Sequence, residues 1–302
     1  VTRYLLLGAS GFLGRHVWDR LVTDPEARLL TAGRRPVDSG QAHLRLDLAT
    51  AGVRELGDVL AAANPDVVIN AAGMVGGTPA EQAAVNTTAV GRLAEAMLRT
   101  RPTTRLVHIG SAAEYGRVRT GIAVAEDTPA HPVAAYGVTK LGGTQLLRLA
   151  RVAGLDAVVL RVFNPVGPGI PEGSLLGRLV RQLRDREPEI RLGPLGDHRD
   201  FVDARDVANA VVAAARVSTP RWLINVGSGR ATQVRELVRA LLSIAGHDGP
   251  LHEAEPPPDR SALVSWQAAD LTVARRVLGW RPTRTLTTTL TDVWREVACP
   301  FP

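Results

Sequence analysis

A doubly wound α/β sheet with a smaller C-terminal lobe is the fold class that this chain of 302 residues predicts. Three observations point to it. Short apolar runs alternate with longer amphipathic segments through the first half, the pattern of parallel strands joined by helical crossovers. Gly8, Gly11 and Gly14 follow the first apolar run directly. After Phe163 the texture changes to a Pro- and Gly-rich stretch and then to mostly helical segments.

Taken in order, strands are expected at 4–8 (YLLLG), 28–33 (RLLTAG), 43–48 (HLRLDL), 66–73 (DVVINAAG), 105–111 (RLVHIGS) and 156–163 (DAVVLRVF). Between them, 12–23, 52–63, 80–99 and 136–153 have helical spacing and length. The stretch NPVGPGIPEG that begins at Asn164 reads as an exposed functional loop. Helices near 175–186 and 203–216, a strand at 222–226 and a helix at 232–245 follow. Pro256, Pro257 and Pro258 rule out regular structure just before Arg260. The expected division is a sheet domain over 1–163 and a smaller lobe over 164–302, with the segment near 200–216 returning to the sheet.

An apolar share of 45% and a charged share of 22% are ordinary for a globular protein. No apolar run is long enough to cross a bilayer. The strand-like run at Tyr4–Leu7 leaves no room for a signal peptide, so a cytoplasmic location is expected. The single cysteine, Cys299, excludes an intrachain disulfide and a multi-cysteine metal site, and no metal is expected. A formal charge of +6 invites a nucleic-acid reading. Against it, the arginines are scattered, aromatics are only 4% and no helix-turn-helix or zinc-finger pattern occurs. An anionic small molecule is the expected partner, and a homodimer is left open.

Glycine is needed in LLLGASGFLG for three separate reasons: a tight turn, close approach of the backbone to a pyrophosphate, and close helix–strand packing. The helix N-terminus that follows offers N–H groups and a partial positive charge to phosphates. Gly8, Ser10, Gly11, Phe12, Leu13 and Gly14 are therefore candidate dinucleotide contacts, and 1–163 reads as a Rossmann-type dinucleotide-binding domain. An NAD site usually carries an acid at the end of the second strand, to bond the ribose hydroxyl. Here TAGRRP puts Arg34 and Arg35 in that place. A guanidinium fork suits a phosphate, which favours NADP(H) over NAD(H).

Tyr136 and Lys140 lie four apart on a segment that reads as helix, so both project from one face. Lys140 is the only lysine in the chain. A compact ammonium beside a phenol is expected to favour phenolate and to hold ribose hydroxyls, tasks for which a planar guanidinium is a poorer fit. Ser111 ends the strand RLVHIGS, at the carboxyl edge of the sheet where ligands of such folds bind.

GASGFLG, SAAEYG, YGVTK, RVFNPVGPG, RDFVD and LGWRP, in this order and spacing, resemble the extended short-chain dehydrogenase/reductases over nearly the whole chain. The nearest-looking members are nucleotide-sugar epimerases, 4,6-dehydratases and 4-ketoreductases. The resemblance implies Tyr136 as acid/base, Lys140 as its partner and ribose clamp, and Ser111 as the hydroxyl that positions the substrate oxygen. It implies adenine-side contacts at Asp47 and Leu48, and a cofactor-lining turn at Asn70, Ala71, Ala72 and Gly73. Asn86 matches an asparagine that supports the active-site helix, with an ordinary helix-facing polar residue as the alternative. Asn164, Arg199 and Arg260 match contacts to the diphosphate or sugar of a nucleoside-diphosphate sugar; surface arginines are the other reading of the last two. Tyr115 either flanks the nicotinamide or substrate, or simply packs.

Within that resemblance the residues narrow the reaction. A 4,6-dehydratase needs an Asp–Glu pair just after the hydroxyl residue, and Ala112 and Ala113 stand there. Reduction of a nucleotide-linked 4-keto-6-deoxy sugar by NADPH is the expected activity. A 4-epimerase, a reductase of a non-nucleotide ketone and a non-catalytic NADP(H) sensor are the alternatives.

Overall fold

The computed structural model describes residues 1–37, 40, 42–253 and 264–298; Arg260 and Cys299 lie outside them. The first half runs β1 (Thr2–Leu7), α1 (Phe12–Val22), β2 (Ala27–Gly33), β3 (His43–Arg45), α2 (Val53–Ala63) and β4 (Val67–Asn70). It continues through α3 (Pro79–Ala83), a π-helical turn (Ala84–Thr88), α4 (Ala89–Thr100), β5 (Arg105–Ser111), α5 (Ala135–Val152) and β6 (Ala157–Val162). The second half contributes β7 (Pro165–Val166), α6 (Leu175–Arg184), β8 (Ile190–Leu192), β9 (His198–Asp200), β10 (Val202–Asp203) and α7 (Ala204–Arg216). It ends with β11 (Leu223–Val226), β12 (Ala231–Gln233), α8 (Val234–Ala245), β13 (Leu251–Glu253), α9 (Thr272–Leu278) and α10 (Leu286–Ala298).

Seven strands form one sheet in the order β11-β6-β5-β4-β1-β2-β3, and every neighbouring pair is parallel. The central strands β4, β5 and β6 are buried at every residue, as expected of parallel strands covered on both faces. One face packs against α1 and α7 through Tyr4, Leu6, Val17, Leu21, Val207 and Val211; the other packs against α2, α4 and α5 through Leu5, Leu7, Leu56, Leu93, Met97 and Leu147. The expected doubly wound parallel sheet is thus the observed fold. Residues 204–216 cover the sheet beside α1, and β11 extends the sheet past β6.

A third core joins α6, α8 and α10 around Leu179, Leu195, Leu237, Leu241 and Leu290. Three aspartates spaced three apart tie this lobe to the sheet. Asp200 accepts from the N–H groups of Ser228, Gly229 and Ala269. Asp203 accepts from the Thr289 hydroxyl and from Arg205. Asp206 accepts from the N–H groups of Thr283 and Arg284, while its carbonyl takes the indole N–H of Trp280. Each buried carboxylate is satisfied by several donors, which offsets its desolvation.

Helix 80–99 differs from its expected form. Thr78 caps α3 in a reciprocal capping box with Glu81, with Pro79 in the first turn. The helix then widens into the π turn before α4 resumes. Close packing on α5 accompanies the widening: a Cβ at Gly143 would stand 2.2 Å from the Asn86 carbonyl oxygen.

Candidate active site

The carboxyl ends of β1, β2, β4 and β5 converge on one edge of the sheet. At the end of β1, Gly8 has φ +76°, the left-handed region that favours glycine, and a Cβ there would meet the Ala72 nitrogen at 2.6 Å. A Cβ at Gly14 would lie 2.0 Å from the Gly8 carbonyl oxygen, so α1 can press on the turn only without a side chain. Gly11 caps α1; no side chain satisfies the cap and no acid lies in the first turn. The first-turn N–H groups have no intrahelical partner, and Ser10 and Gly11 are exposed beside the half-buried Phe12 and Leu13. An anion-binding cradle of this kind fits a dinucleotide pyrophosphate.

The other cofactor-side candidates lie along the same edge. Arg34 and Arg35 follow β2 immediately and are exposed, with no ion pair to either among the described residues. Sequence reasoning missed a third arginine: Gly33 is in register with the exposed Arg45 of β3, which brings Arg45 beside that pair. Only pairing of two short strands reveals it. Asp47 is exposed and holds the turn 47–51 by accepting from Ala49 N–H, with Leu48 half-buried next to it. After β4, the Asn70 side chain accepts from Ala72 N–H at 3.1 Å and shapes the turn Ala71–Gly73.

Asn86 sits in the π turn with 1% of its surface exposed. Its amide grips Met74 from both sides, accepting from Met74 N–H at 2.9 Å and donating to Met74 O at 2.8 Å. It also donates to the Thr139 hydroxyl at 3.1 Å, which in turn donates to Tyr136 O. The residue thus braces both the Gly73 turn and α5.

Tyr136 and Lys140 open α5, and Ser111 closes β5. Close approach of the two elements is permitted by Gly137, where a Cβ would meet Ala113 O at 2.4 Å. The Ser111 hydroxyl lies close enough to the half-buried Tyr136 phenol to favour its ionised form. Lys140 is 3% exposed and donates from Nζ to Ile109 O at 2.6 Å. Burial pulls its ammonium down to about 8, against the carboxylate of Glu114, which supports the charge.

The expectation that Lys140 lowers the Tyr136 phenol needs correction. Burial raises the phenol first, the nearby Ser111 hydroxyl opposes it, and Glu114 adds to the rise. The Lys140 ammonium instead points at the β5 backbone, donating to Ile109 O. Behind the lysine, His108 is fully buried in β5 with neither ring nitrogen hydrogen-bonded, and desolvation together with Lys140 holds it well below the usual histidine range.

Of the two readings of Tyr115, its surroundings match the packing one. It is fully buried, donates to Asn225 Oδ1 at 2.7 Å and lies under the Arg161 guanidinium at 4.3 Å. Burial pushes its phenol up to about 12. Tyr115 therefore packs behind the site and does not face it.

On the lobe side, Asn164 is half-buried at the end of β6 and donates to Asp200 O at 3.2 Å. Arg199, 7% exposed on β9, pairs with Asp197 at 2.9 Å and bonds His198 O. Arg260 is outside the described residues.

The model of the NAD dependent epimerase/dehydratase family matches residues 4–227. A dTDP-6-deoxy-L-talose 4-dehydrogenase (NAD(P)(+)) of Kitasatospora kifunensis is 36% identical over 97% of this chain and 94% of its own length. A UDP-glucose 4-epimerase of Mycolicibacterium smegmatis is 30% identical over 93% of each. The fold superposes with a TM-score of 0.85 on RMD from Pseudomonas aeruginosa complexed with NADPH, at 24% identity over 99% of this chain and 100% of that one. No helix among the described residues is long and apolar enough to cross a membrane. Matched over most of its length by that family model, and at full length by relatives of this similarity, the chain belongs to the NAD dependent epimerase/dehydratase family.

Proposed function

We propose that this protein reduces the keto group of a nucleotide-linked 4-keto-6-deoxy sugar with NADPH. The observation that carries the reading is the placement of Ser111 at the end of β5 beside Tyr136 in the first turn of α5, with Ala112 and Ala113 where dehydration would need two acids. A site with one proton donor and no elimination pair is suited to simple carbonyl reduction. The relative from Kitasatospora kifunensis is named for oxidation at the same sugar carbon, and an alcohol dehydrogenase run in reverse is a ketoreductase.

NADPH would be held by the Gly8–Gly14 turn, the first turn of α1, the Ala71–Gly73 turn, and Arg34 and Arg35 at the 2′-phosphate. When bound, it supplies the hydride. Tyr136 donates its proton to the sugar oxygen, and its raised phenol keeps that proton available at neutral pH. Ser111 donates a second hydrogen bond to the same oxygen and stabilises the charge that develops there. Lys140 holds the ribose hydroxyls. Arg199 and Asn164 take the substrate diphosphate, and Arg260 is assigned to the same anion. A cytoplasmic location, where NADPH is supplied, belongs to the same reading.

The assay is consumption of NADPH by purified protein given a nucleoside-diphosphate 4-keto-6-deoxy sugar. Turnover with NADPH well above that with NADH, abolished in Tyr136→Phe, is expected, and Arg199→Ala should raise the Michaelis constant for the sugar nucleotide. The second reading, a 4-epimerase, is favoured by the Mycolicibacterium smegmatis relative. It predicts interconversion of UDP-glucose and its C4 epimer without added coenzyme, and that result would replace the reductase reading.

A further inference from the structure

We propose that Glu114 is a positioning residue of this site: it clamps the backbone of Ser111 and sets a fixed negative charge behind Tyr136 and Lys140. The idea rests on the reductase reading and deepens it, since a proton donor needs a surrounding that keeps it protonated.

Glu114 is 0% exposed. It lies on the short 3₁₀ turn that links β5 to the rest of the site. One carboxylate oxygen accepts from Ser111 N–H at 2.9 Å, and the other accepts from Arg161 Nε at 2.8 Å. Ser111 reciprocates by accepting from Ala113 N–H at 3.2 Å, so the serine is tied at both its backbone and its hydroxyl. Gly110 leaves room for the acid: a Cβ there would stand 2.9 Å from Glu114 Oε1. Arg161 is itself buried and stacks on Tyr115, which bonds Asn225, whose amide donates to Val124 O at 2.8 Å. The carboxylate is thereby fixed from β5, β6 and β11 at once.

A buried ion pair of this kind is a weak source of stability, because desolvation consumes most of the attraction. Its placement points to another use. The charged and titratable groups around Tyr136 are Glu114 on the turn, Arg161 on β6, Lys140 on α5, and the neutral His108 and Tyr115. Among them, the Glu114 charge raises the Tyr136 phenol and supports the Lys140 ammonium. A negative charge disfavours phenolate and favours ammonium. Both effects hold the site in its proton-rich form, with Tyr136 as a phenol ready to donate and Lys140 as a cation ready to bind ribose.

The test uses Glu114→Gln, which keeps an acceptor for Ser111 N–H and removes the charge. Tyrosinate absorbance is titrated in the wild type and the variant, each with and without Tyr136→Phe, so that Tyr4 and Tyr115 subtract out. The Tyr136 titration is expected to move to lower pH, and the alkaline limb of kcat/KM for reduction should move the same way. Since Glu114→Gln leaves Arg161 buried without its partner and can cost the fold, Glu114→Gln/Arg161→Met is also compared with Arg161→Met alone, so that the charge of Glu114 is the difference between them. A folded Glu114→Gln whose Tyr136 titrates where the wild type does, or a folded double variant whose Tyr136 titrates where that of Arg161→Met does, would overturn the proposal and leave Glu114 as a tether of the turn only. The absorbance readout needs no substrate. Failure to reduce any keto sugar therefore counts against the proposed reaction, and an unmoved tyrosine titration counts against the role of Glu114.

Discussion

Replacing Lys140 with methionine tests the geometry of the site through stability, independently of any substrate. The ammonium is 3% exposed, and burial draws it down to about 8 from the 10.5 of an ordinary lysine. At about 1.4 kcal/mol per pH unit, that gap corresponds to about 3 kcal/mol by which the folded state disfavours the charged form. The sign follows from proton binding. Between about 8 and 10.5 the unfolded chain keeps the lysine proton while the folded protein has released it, so stability rises with pH across that window. Below about 8 both states are protonated and the burial cost is present in full.

Lys140→Met has no such group and lacks that rise. Urea unfolding of wild type and variant at pH 7 and pH 10.5 measures the effect. The advantage of Lys140→Met over the wild type should shrink by about 3 kcal/mol between the two conditions. A difference that does not change with pH would refute the claim that a buried charged ammonium faces Ile109 O. In the same samples, the variant should lose turnover, which makes it a trade of stability against activity.

Two further outcomes follow from close contacts elsewhere. Gly14→Ala places a methyl 2.0 Å from the Gly8 carbonyl oxygen, with no flexible side chain to yield, so a loss of about 3 kcal/mol or more and of NADPH binding is expected by urea unfolding and coenzyme titration; near-native stability would refute that packing. His108→Phe replaces an imidazole whose two nitrogens are buried without partners by an apolar ring, which should stabilise the protein by about 1–3 kcal/mol in a thermal melt, and destabilisation would show that the ring has an enclosed hydrogen-bonding partner.

The sheet was legible because β4, β5 and β6 are written as short, mostly apolar runs separated by helical segments, and the glycine turn because three separate steric demands fall on three fixed positions. The pair Tyr136 and Lys140 was legible for a different reason: one lysine in an arginine-using chain sits one helical turn from a tyrosine. What escaped notice depends on contacts distant in sequence. Arg45 joins Arg34 and Arg35 only through the pairing of β2 and β3. Glu114 reads as one polar letter in SAAEYG, and its meaning comes from Arg161, 47 residues away. Tyr115 has the composition of a ligand-facing residue, yet Asn225 draws it inward. Two-residue strands such as β7 and β10 carry too short a pattern to be read at all.

The π turn at Ala84–Thr88 gives the helix a phase shift. A turn of this type holds an extra residue, so everything beyond Thr88 is rotated by about 100° relative to a regular helix. Two jobs are thereby reconciled that one continuous helix could not do together. Asn86 points at Met74 and Thr139, while Val90, Leu93, Ala94 and Met97 still face the core. Removing a single residue from this turn would favour ordinary helix geometry and would put those two faces out of step. The asparagine would leave the cofactor edge, or the apolar stripe would leave the sheet. At this place the length of the chain is as much a functional specification as the identity of any side chain.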